Sequence, residues 1–307
     1  MAVVVTGASG FIGSHVVCQL HRDGYAVVGL DRRPPPPGLP GEHLRVDLLE
    51  LGRPHPGGVA AAARDALAQA EAVWHLAGCP GVRGTGADLT ARRWLDNVVA
   101  TEVVTVAVPL DVPLLVASSS SVYGGARRDC PSGEGDRLAP RGDYAASKVA
   151  TEERCAIRAR RGGLVCVARP FTVAGEGQRS DMALARWLEA GRRGAPLLVY
   201  GSPARRRDVT DVRQVARALV ELLERGIGGP INLGTGRSVT LAEMVIAVGR
   251  ALGVRPDVVV ADAEVEEVTA NLADVHRLLD ALGWTPETDL DAVVQRQAAG
   301  QPSPEPR

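Results

Sequence analysis

The segment that most restricts the fold is a glycine-rich stretch near the N-terminus. The apolar run VVVT (3–6) is followed by Gly7, Gly10 and Gly13, and helical periodicity extends over 11–22. Glycine at these three places permits a tight turn, a close approach of the backbone to a pyrophosphate, and close packing of the helix on the strand. A strand, a glycine turn and a helix in this order predict a dinucleotide-binding unit with the pyrophosphate at the helix N-terminus.

Short β-branched runs alternate with helical patterns through the first half of the chain. This alternation predicts an α/β fold of the Rossmann type, in which a doubly wound parallel sheet carries helices on both faces. The predicted strands are 3–6, 26–30, 44–48, 72–76, 113–119 and 164–169, and the predicted helices are 11–22, 59–70, 89–108 and 144–160.

The alternation of strand and helix patterns becomes less regular after residue 170, and a smaller α/β C-terminal lobe is expected there. Residues 1–170 are assigned to a dinucleotide-binding domain with the catalytic residues, 171–299 to a substrate lobe interleaved with it, and 300–307 to a disordered tail. Helical patterns in the lobe, separated by the strand fragments VYG, INLG and VVVA, lie near 181–193, 212–225, 240–252, 272–282 and 289–298.

The composition narrows the choice of partner and compartment. The 307 residues carry a formal net charge of −1, which gives no reason to expect a nucleic acid or a membrane surface as a partner. The five cysteines form no Cys-x-x-Cys pair, so neither a disulfide framework nor a metal site is expected. A signal-peptide pattern and an apolar run of transmembrane length are both missing, so a cytoplasmic protein is expected.

The chain contains 35 Lys and Arg residues, and Lys148 is the only lysine among them. It follows Tyr144 by four residues, so both side chains can reach one point beside a helix. A free tyrosine has a pKa of about 10, and a nearby ammonium group favours the phenolate. The phenolate can then take a proton from a substrate hydroxyl while the adjacent carbon gives hydride to NAD. Tyr144 and Lys148 are therefore the predicted catalytic pair.

Ser119 is the third predicted catalytic residue. It lies in ASSSSVYG (117–124), at the end of the fifth predicted strand. Its hydroxyl is expected to hydrogen-bond the reacting oxygen and to pass the proton to Tyr144. Ser118 and Ser120 are expected to point the other way if the strand continues.

The end of the second strand bears on the choice of dinucleotide. Asp31 lies where a carboxylate would hold the adenosine ribose hydroxyls, which favours NAD over NADP. Arg32 and Arg33 follow it and could pair with a 2′-phosphate, so NADP stays open. Asp47 is expected to reach the adenine amino group, with an exposed strand-end carboxylate as the alternative. The other residues assigned to the cofactor, besides the three glycines, are Phe11, Ile12, Arg32, Leu48, Leu76, Ala77, Tyr144 and Lys148.

Taken together, these motifs resemble those of the extended short-chain dehydrogenase/reductase family, and within it the nucleotide-sugar epimerases and dehydratases. The resemblance covers nearly the whole chain and is closest to the UDP-glucuronate and UDP-glucose 4-epimerases. It implies a tightly held NAD, transient oxidation of a UDP-sugar at C4, and a homodimer in which helices 89–108 and 144–160 form a four-helix bundle. The residues that carry it are TGASGFIG, WHLAG (74–78), SSSSVYG, YAASK, RPFTVAGEGQRSDMAL (169–184), RRRDVTDV and INLGTG (231–236).

The positions after Ser119 separate the branches of this family. Members that resemble 4,6-dehydratases carry an Asp-Glu pair there, and those that resemble UDP-glucuronate decarboxylases carry a Glu. This chain has Ser120 and Ser121, which are assigned to the substrate side and supply no carboxylate. The resemblance therefore implies chemistry that stops at C4, which is epimerisation.

Two further positions resemble the UDP-glucuronate 4-epimerase pattern. In that pattern Thr172 and Arg179 meet the C5 carboxylate, and an arginine suits a carboxylate because its donors form a bidentate fork. A solvent-facing Arg179 in a loop is the alternative.

Other substrate contacts implied by the resemblance are two arginines. Arg207 matches the family arginine on the diphosphate, although Arg205 and Arg206 leave the register open. Arg83, in GVR (81–83), is assigned to the sugar or the diphosphate.

The chain also departs from the family pattern. Arg213 and Gln214 replace an aspartate pair, and Glu176 stands where proline is usual. Two other functions stay open: an NADP-dependent 4-ketoreductase acting on a deoxysugar nucleotide, and a non-catalytic dinucleotide-binding protein.

A few single residues complete the sequence-based expectations. His75 is expected to pack beside the cofactor rather than to bind a metal, and Asn97 to make a buried structural hydrogen bond. Trp94 is expected in the core. Phe171 is expected either in the core or stacked on the uracil.

Overall fold

The structure is a computed structural model that describes residues 2–81, 86–126, 130–262 and 268–300. Its strands are β1 (Val3–Thr6), β2 (Val27–Asp31), β3 (Glu42–Arg45), β4 (Val73–His75), β5 (Leu114–Ala117), β6 (Val165–Pro170), β7 (Thr172–Ala174), β8 (Leu197–Tyr200), β9 (Arg206–Arg207), β10 (Val209–Asp211), β11 (Gly229–Leu233), β12 (Val239–Thr240) and β13 (Val258–Ala261). Its helices are α1 (Phe11–Arg22), α2 (Gly58–Ala68), α3 (Ala87–Arg93), α4 (Ala100–Ala107), α5 (Gly142–Arg160), α6 (Ala183–Arg192), α7 (Val212–Glu224), α8 (Leu241–Leu252), α9 (His276–Leu282) and α10 (Leu290–Gly300).

Within the described residues, seven parallel strands form the central sheet in the order β11-β6-β5-β4-β1-β2-β3. Strand β1 shows why both faces of the sheet must be covered. Val3 and Val5 belong to the apolar cluster under α1 and α7, and Val4 belongs to the cluster on the opposite face with α2 and α4. Successive side chains of a strand alternate between faces, so an all-apolar strand requires two cores. The predicted doubly wound parallel sheet is confirmed.

The segment after residue 170 divides between two places. The INLG run forms β11, which pairs with β6 at the edge of the central sheet, and α7 packs against α1 beneath it. Helices α6, α8 and α10 instead enclose an apolar cluster of their own, beside a short parallel pair of strands, β8 and β13. The C-terminal half thus completes the Rossmann sheet as well as building a second, smaller core.

The helix predicted at 89–108 is not uniformly α-helical. Between α3 and α4 the residues Trp94–Val99 form a π-helical segment. There the Asn97 carbonyl accepts hydrogen bonds from two hydroxyls, Thr101 Oγ1 at 2.6 Å and Thr151 Oγ1 at 2.9 Å. The hydroxyls stabilise a carbonyl in this irregular turn, and π segments of this kind are common at functional sites.

Two sequence-based predictions about local structure are wrong. The third strand ends at Arg45 rather than at residue 48, because the Asp47 carboxylate accepts from Leu49 N at 3.0 Å and caps a 3-10 turn, Leu48–Gly52. Trp94 is half exposed rather than in the core, since the π segment turns it outward.

No described helix is long and apolar enough to cross a membrane.

Arg158 is a buried structural cation that the sequence did not reveal. It lies near the end of α5, and its guanidinium donates to four backbone carbonyls in and after the last turn of α4. The acceptors are Thr105 O at 3.1 Å, Val108 O at 2.6 Å, Pro109 O at 2.5 Å and Val112 O at 2.9 Å. Carbonyls at a helix C-terminus have no partner within the helix, so one side chain here stabilises the whole turn before β5.

Replacing Arg158 with Met should lower the free energy of unfolding by about 2–4 kcal/mol, because buried carbonyls lose charged donors. Urea unfolding followed by circular dichroism measures the change. Arg160→Met, on the exposed side of the same helix turn, is the control and should change the free energy of unfolding by less than about 0.5 kcal/mol. Equal midpoints for the two variants would contradict the capping role.

Candidate active site

The turn after β1 leaves no room for side chains. Gly7 has φ +70°, and a Cβ there would lie 2.6 Å from Ala77 N. A Cβ on Gly13 would lie 2.0 Å from Gly7 O, and one on Gly10 would lie 2.9 Å from the same oxygen. No side chain caps the α1 N-terminus, which starts after Gly10. Open N–H groups at a helix N-terminus, in a turn without side chains, fit a dinucleotide pyrophosphate.

His75, at the end of β4, joins three parts of the site. Its Nδ1 lies 2.7 Å from Thr6 Oγ1, and its Nε2 lies 3.0 Å from Thr101 Oγ1. Thr101 already donates its hydroxyl proton to Asn97 O, so Nε2 carries the imidazole proton and Nδ1 accepts from Thr6. Burial lowers the pKa of His75 to about 3, and the ring stays neutral. His75 therefore holds the site together rather than acting as an acid or base.

Asp31 is placed beside the glycine turn, as the sequence predicts. Its carboxylate accepts from Ser9 N at 3.1 Å and from Arg33 N at 2.9 Å. The Arg33 side chain turns back over the turn and donates to Ser9 O at 3.0 Å. Asp31 is half-buried at the carboxyl end of β2, which is where a ribose-binding carboxylate is needed.

Arg32 has a different environment from Arg33. Its guanidinium lies 2.6 Å from an Asp96 carboxylate oxygen and 3.5 Å from one of Asp47. Two carboxylates therefore offset the charge that a 2′-phosphate would require, which favours NAD. Asp47 has two roles here, since it also caps the following turn.

The remaining residues assigned to the cofactor lie around the same turn. Ala77 N donates to Thr6 Oγ1 at 3.3 Å, and Leu76 N donates to Thr6 O at 3.1 Å. Phe11 and Ile12 are partly buried at the start of α1, and Leu48 is buried in the core cluster beside β3.

The three predicted catalytic residues come together at the end of β5. Ser119 follows the strand in an extended conformation, and its Oγ accepts from Ser121 N at 3.1 Å. The hydroxyls of Ser119 and Tyr144 are hydrogen-bonded to each other. Lys148, one turn further along α5, donates to Ala117 O at 2.8 Å. Burial lowers the pKa of Lys148 to about 8.

The electrostatics of Tyr144 are a balance of opposed effects. Burial raises the pKa of the phenol, and this is the largest influence. The hydrogen bond from Ser119 and the charges of Arg179 and Arg93 act in the opposite direction and favour the phenolate. The sequence pointed to Lys148 as the activating cation, whereas in the structure two arginines have the stronger effect on this phenol.

Asn97 connects the loop after β4 to α5. Its Oδ1 accepts from Cys79 N at 2.7 Å, and its Nδ2 donates to Cys79 O at 3.1 Å and to Ser147 Oγ at 2.9 Å. The hydrogen bonds are buried, as expected, and they join a loop to a helix. The sequence contained no signal that Cys79 is the partner.

Ser118 has a structural role next to Ser119. Its hydroxyl donates to Glu152 Oε1 at 2.5 Å, and Glu152 forms a two-pronged ion pair with Arg169 at 2.9 and 2.6 Å. Ser118 therefore points away from Tyr144, while the chain turns into a 3-10 segment, Ser120–Tyr123, rather than continuing as a strand. The Ser121 hydroxyl is buried within this segment and has no hydrogen-bond partner among the described residues.

The predicted substrate residues are only partly collected. Arg179 pairs with Asp181 at 2.9 and 2.5 Å, and its charge acts on Tyr144. It is therefore not a purely solvent-facing residue. Thr172 Oγ1 accepts from Asn271 Nδ2 at 3.2 Å in β7. Arg83 lies outside the described residues.

Arg207 is distinguished from its neighbours by their contacts. Arg206 donates to Ser238 Oγ at 2.9 Å and to Ser238 O at 2.8 Å, and Arg205 donates to Tyr200 O at 3.4 Å. Arg207 donates to Arg206 O at 2.9 Å, and as its neighbour in β9 it faces the opposite side of the chain from Arg206. Arg207 remains the predicted diphosphate residue.

Asp208, next to Arg207, was missed by the sequence analysis. Its buried carboxylate accepts from Thr235 N and Oγ1, both at 2.8 Å, from Gly236 N at 3.1 Å and from Ala273 N at 3.1 Å. It thereby connects two of the quoted motifs, RRRD and INLGTG, which are far apart in sequence. Burial raises the pKa of Asp208, and the donated hydrogen bonds oppose that rise.

Two of the residues that depart from the family pattern form an ion pair with each other. Arg213 pairs with Glu176, and Arg296 of α10 lies 3.3 Å from Glu176 and pairs with Asp211. Beneath these ion pairs Gln297 Nε2 donates to Gln178 Oε1 at 2.8 Å. Helix α10 thus holds the loop that leads to Arg179.

The packing of Phe171 distinguishes between its two expected environments, the core and a stack on the uracil. Phe171 is buried in a small cluster, with its ring 6.3 Å from that of Tyr123. It therefore belongs to the core rather than to a base-stacking platform.

The glycine turn, the carboxylate at the end of β2 and the serine–tyrosine–lysine group at the end of β5 are the features of a Rossmann-type dinucleotide-binding protein. The model of the NAD-dependent epimerase/dehydratase family matches residues 3–234, and the chain belongs to that family. NAD is its cofactor, and the residues described above fit it.

Several proteins are similar to this chain over nearly its full length. A UDP-glucuronate 4-epimerase of Thermodesulfobacterium geofontis is 26% identical over 95% of this chain and 94% of its own length, and a protein of Bacillus subtilis named uncharacterized UDP-glucose epimerase YtcB is 27% identical over 94% of each. Among solved structures, MoeE5 in complex with UDP-glucuronic acid and NAD has a TM-score of 0.87 at 37% identity, covering 98% of each chain. The UDP-glucuronic acid 4-epimerase of Bacillus cereus has a TM-score of 0.87 at 25% identity, also covering 98% of each.

Replacing Asp31 with Asn should weaken NAD binding by about 10- to 100-fold, because a charged acceptor for the ribose hydroxyls is lost. Isothermal titration of the NAD-free protein measures the affinity. Asp23→Asn, at the exposed end of α1, is the control and should bind NAD as the unaltered protein does. If Asp31→Asn keeps full affinity, the ribose assignment is wrong.

Proposed function

We propose that the protein is an NAD-dependent UDP-sugar 4-epimerase that prefers UDP-glucuronate to UDP-glucose or UDP-galactose. The observation that carries the proposal is the hydrogen bond between Tyr144 and Ser119 beside buried Lys148, followed by two serines where further chemistry would need carboxylates. The names of the similar proteins, which include UDP-glucuronate and UDP-glucose epimerases, support the substrate class.

The proton transfer follows from the arrangement of the three side chains. Ser119 bridges the C4 hydroxyl of the sugar and Tyr144, and the phenolate of Tyr144 receives the proton as C4 is oxidised. Bound NAD would supply the hydride-transfer chemistry at C4, first as the acceptor of the hydride and later as its donor. When the 4-keto sugar has presented its other face, Tyr144 returns the proton to the C4 oxygen. The Lys148 ammonium is held at the site by its hydrogen bond to Ala117 O.

The reaction stops at C4 because the site lacks groups for the neighbouring carbons. Elimination or proton transfer at C5 and C6 needs an acid or base close to those atoms. Ser120 and Ser121 occupy the positions that carry carboxylates in the dehydratases, and a hydroxyl is far too weak a base for that work.

The two alternative functions receive less support. A 4-ketoreductase would exchange NADP, but the Arg32 guanidinium is already offset by Asp47 and Asp96. A non-catalytic protein would not need Ser119, Tyr144 and Lys148 to meet in one buried site.

The preference for glucuronate rests on Arg179. Its charge acts on Tyr144, so it lies near the reacting end of the sugar, and its fork is held by Asp181. The exposed pair with Asp181 contributes little to stability, so a substrate carboxylate can replace it at small cost.

Tyr144→Phe should lower kcat by about 100- to 10,000-fold, the usual contribution of a general base. The measurement is chromatographic separation of C4 epimers after incubation with UDP-glucuronate, UDP-glucose and their N-acetyl relatives. Tyr25→Phe, at a partly buried tyrosine just before β2 and therefore at the opposite end of the sheet, is the matched control and should turn over normally. Full turnover by Tyr144→Phe would overturn the catalytic assignment, and conversion of UDP-glucose alone would overturn the glucuronate preference.

We further propose that the protein is a homodimer in which the predicted helices 89–108 and 144–160 of two copies pack as a four-helix bundle. Helices α4 and α5 lie side by side, and the surface formed by them and by the π-helical segment before α4 carries exposed apolar side chains. Val106 on α4 is 72% exposed, and Ile157 on α5 and Leu95 in the π-helical segment are also exposed. Arg154 and Glu102 form an ion pair across the same surface at 3.9 Å. A contiguous apolar surface on neighbouring helices is typical of an interface.

Introducing charge at this surface should prevent dimerisation. Val106→Asp combined with Ile157→Asp should give a monomer by size-exclusion chromatography with light scattering, because two unpaired carboxylates would be buried at the interface. Ile246→Asp, at an equally exposed isoleucine on α8, should leave the mass unchanged. A monomeric unaltered protein would contradict the proposed dimer.

A further inference from the structure

Gly81, in the loop after β4, is approached by two guanidinium groups. Arg93 Nη2 donates to Gly81 O at 2.8 Å. A Cβ built on Gly81 would lie 3.1 Å from Arg179 Nη2, and Gly81 has φ +105°. A side chain at this position would be strained and would press against Arg179, so the glycine allows the two arginines to approach the same point of the loop.

The two arginines differ in their surroundings. Arg93 is the last residue of α3, immediately before the π-helical segment, and is only 3% exposed. The Arg179 side chain is 34% exposed and is paired with Asp181. Burial of a guanidinium costs free energy, and at Arg93 this cost is compensated during folding. The Arg93 charge is therefore fixed in place before a ligand binds.

Both charges also act on the proposed catalytic tyrosine. Arg93 and Arg179 each lower the pKa of Tyr144 against the rise caused by burial. They come from different elements, α3 and the loop after β7, and both approach Gly81. Arg179 could be identified from the sequence, whereas Arg93 stands in a run of ordinary helix residues.

We infer that Arg93 and Arg179 together form a two-arginine site for the carboxylate of a uronate sugar, and that Arg93 determines specificity for that substrate. The inference rests on the proposed 4-epimerase function and deepens it. The carboxylate of a 4-hydroxy uronate is attached to the carbon next to C4, so it must lie close to the group that faces Tyr144. Two forks that both approach Gly81 can bind its two oxygens, with Asp181 released from Arg179.

A neutral hexose cannot use this site in the same way. Its primary hydroxyl offers no charge to offset two guanidiniums, whereas a carboxylate offsets part of their charge. The same carboxylate would weaken the effect of both arginines on Tyr144. Proton transfer in the uronate complex should therefore need a higher pH than in the complex with a neutral hexose.

The pH dependence involves the charged and titratable groups that surround Tyr144 among the described residues. Burial and the Cys79 thiol raise the pKa of the phenol, and Ser119, Arg179 and Arg93 lower it. Lys148 lies one turn along the same helix, and Asp181 is held by Arg179. Asp143 beside Tyr144 accepts from Thr90 Oγ1 of α3. Since activity needs the phenolate, loss of a positive charge must move the rising limb of the pH profile upward.

Arg93→Gln tests the inference, with Arg92→Gln as the matched control from the exposed face of the same helix. In the Tyr144→Phe background, where turnover is expected to be slowed at least about 100-fold, Arg93→Gln should weaken binding of UDP-glucuronate by about 10- to 100-fold and of UDP-glucose by less than about threefold. Isothermal titration measures both affinities. With Tyr144 intact, the rising limb of kcat/KM against pH should move to higher pH for either sugar. Arg92→Gln should change neither property.

Arg93→Lys keeps the charge but loses the fork, and it guards against a folding defect in Arg93→Gln. It should leave the pH profile nearly unchanged and still weaken UDP-glucuronate binding. Equal losses for UDP-glucuronate and UDP-glucose in both variants would overturn the inference while leaving 4-epimerisation intact. Absence of epimerisation with every UDP-sugar in the unaltered protein would instead overturn the proposed function.

Discussion

The structure depends on the close contact between Gly7 and Gly13. With no side chain on either residue, the first turn of α1 rests directly on the backbone after β1, where a Cβ on Gly13 would come within 2.0 Å of Gly7 O. That contact sets the height of α1 above the sheet and leaves its N-terminus open. The carboxyl ends of β2, β4 and β5 lie along the same edge, so Asp31, His75 and Ser119 are brought around one cleft. The predicted dinucleotide site and the proposed proton-transfer residues thus share a single edge of the sheet.

Around this cleft the protein keeps some groups neutral and others charged. His75 is neutral because it is fully buried between two threonine hydroxyls, and it contributes geometry alone. Lys148 is buried too, but its ammonium is retained by a carbonyl oxygen. Tyr144 lies between these extremes, since burial favours the phenol while a serine and two arginines favour the phenolate. Such a balanced group can both take and return a proton, and an epimerisation requires each of these steps once in every cycle.

Much of the fold and the central part of the site could be predicted from the sequence because their signals are local. The α1 limits, 11–22, were predicted correctly, since a glycine turn and a clear helical period bound them. Tyr144 and Lys148 were predicted from a spacing within one helix. What escaped prediction depends on contacts between distant segments. Asp208, Arg158 and Arg93 look like ordinary surface charges in sequence, and only tertiary packing buries them. The π segment was missed because it is stabilised by hydroxyls, one of them from another helix.

The position of β11 has a consequence for how the chain is made. The strand at one edge of the Rossmann sheet, and the helix α7 that covers α1, come from residues after 170. During translation, the predicted site residues from Gly7 to Lys148 therefore leave the ribosome before the strand that completes their sheet has been synthesised. During that interval β6 has an unpaired edge and α1 has an uncovered apolar face, and both are surfaces on which nascent chains aggregate. The half of the chain that carries the proposed catalytic residues is thus synthesised first but stabilised last.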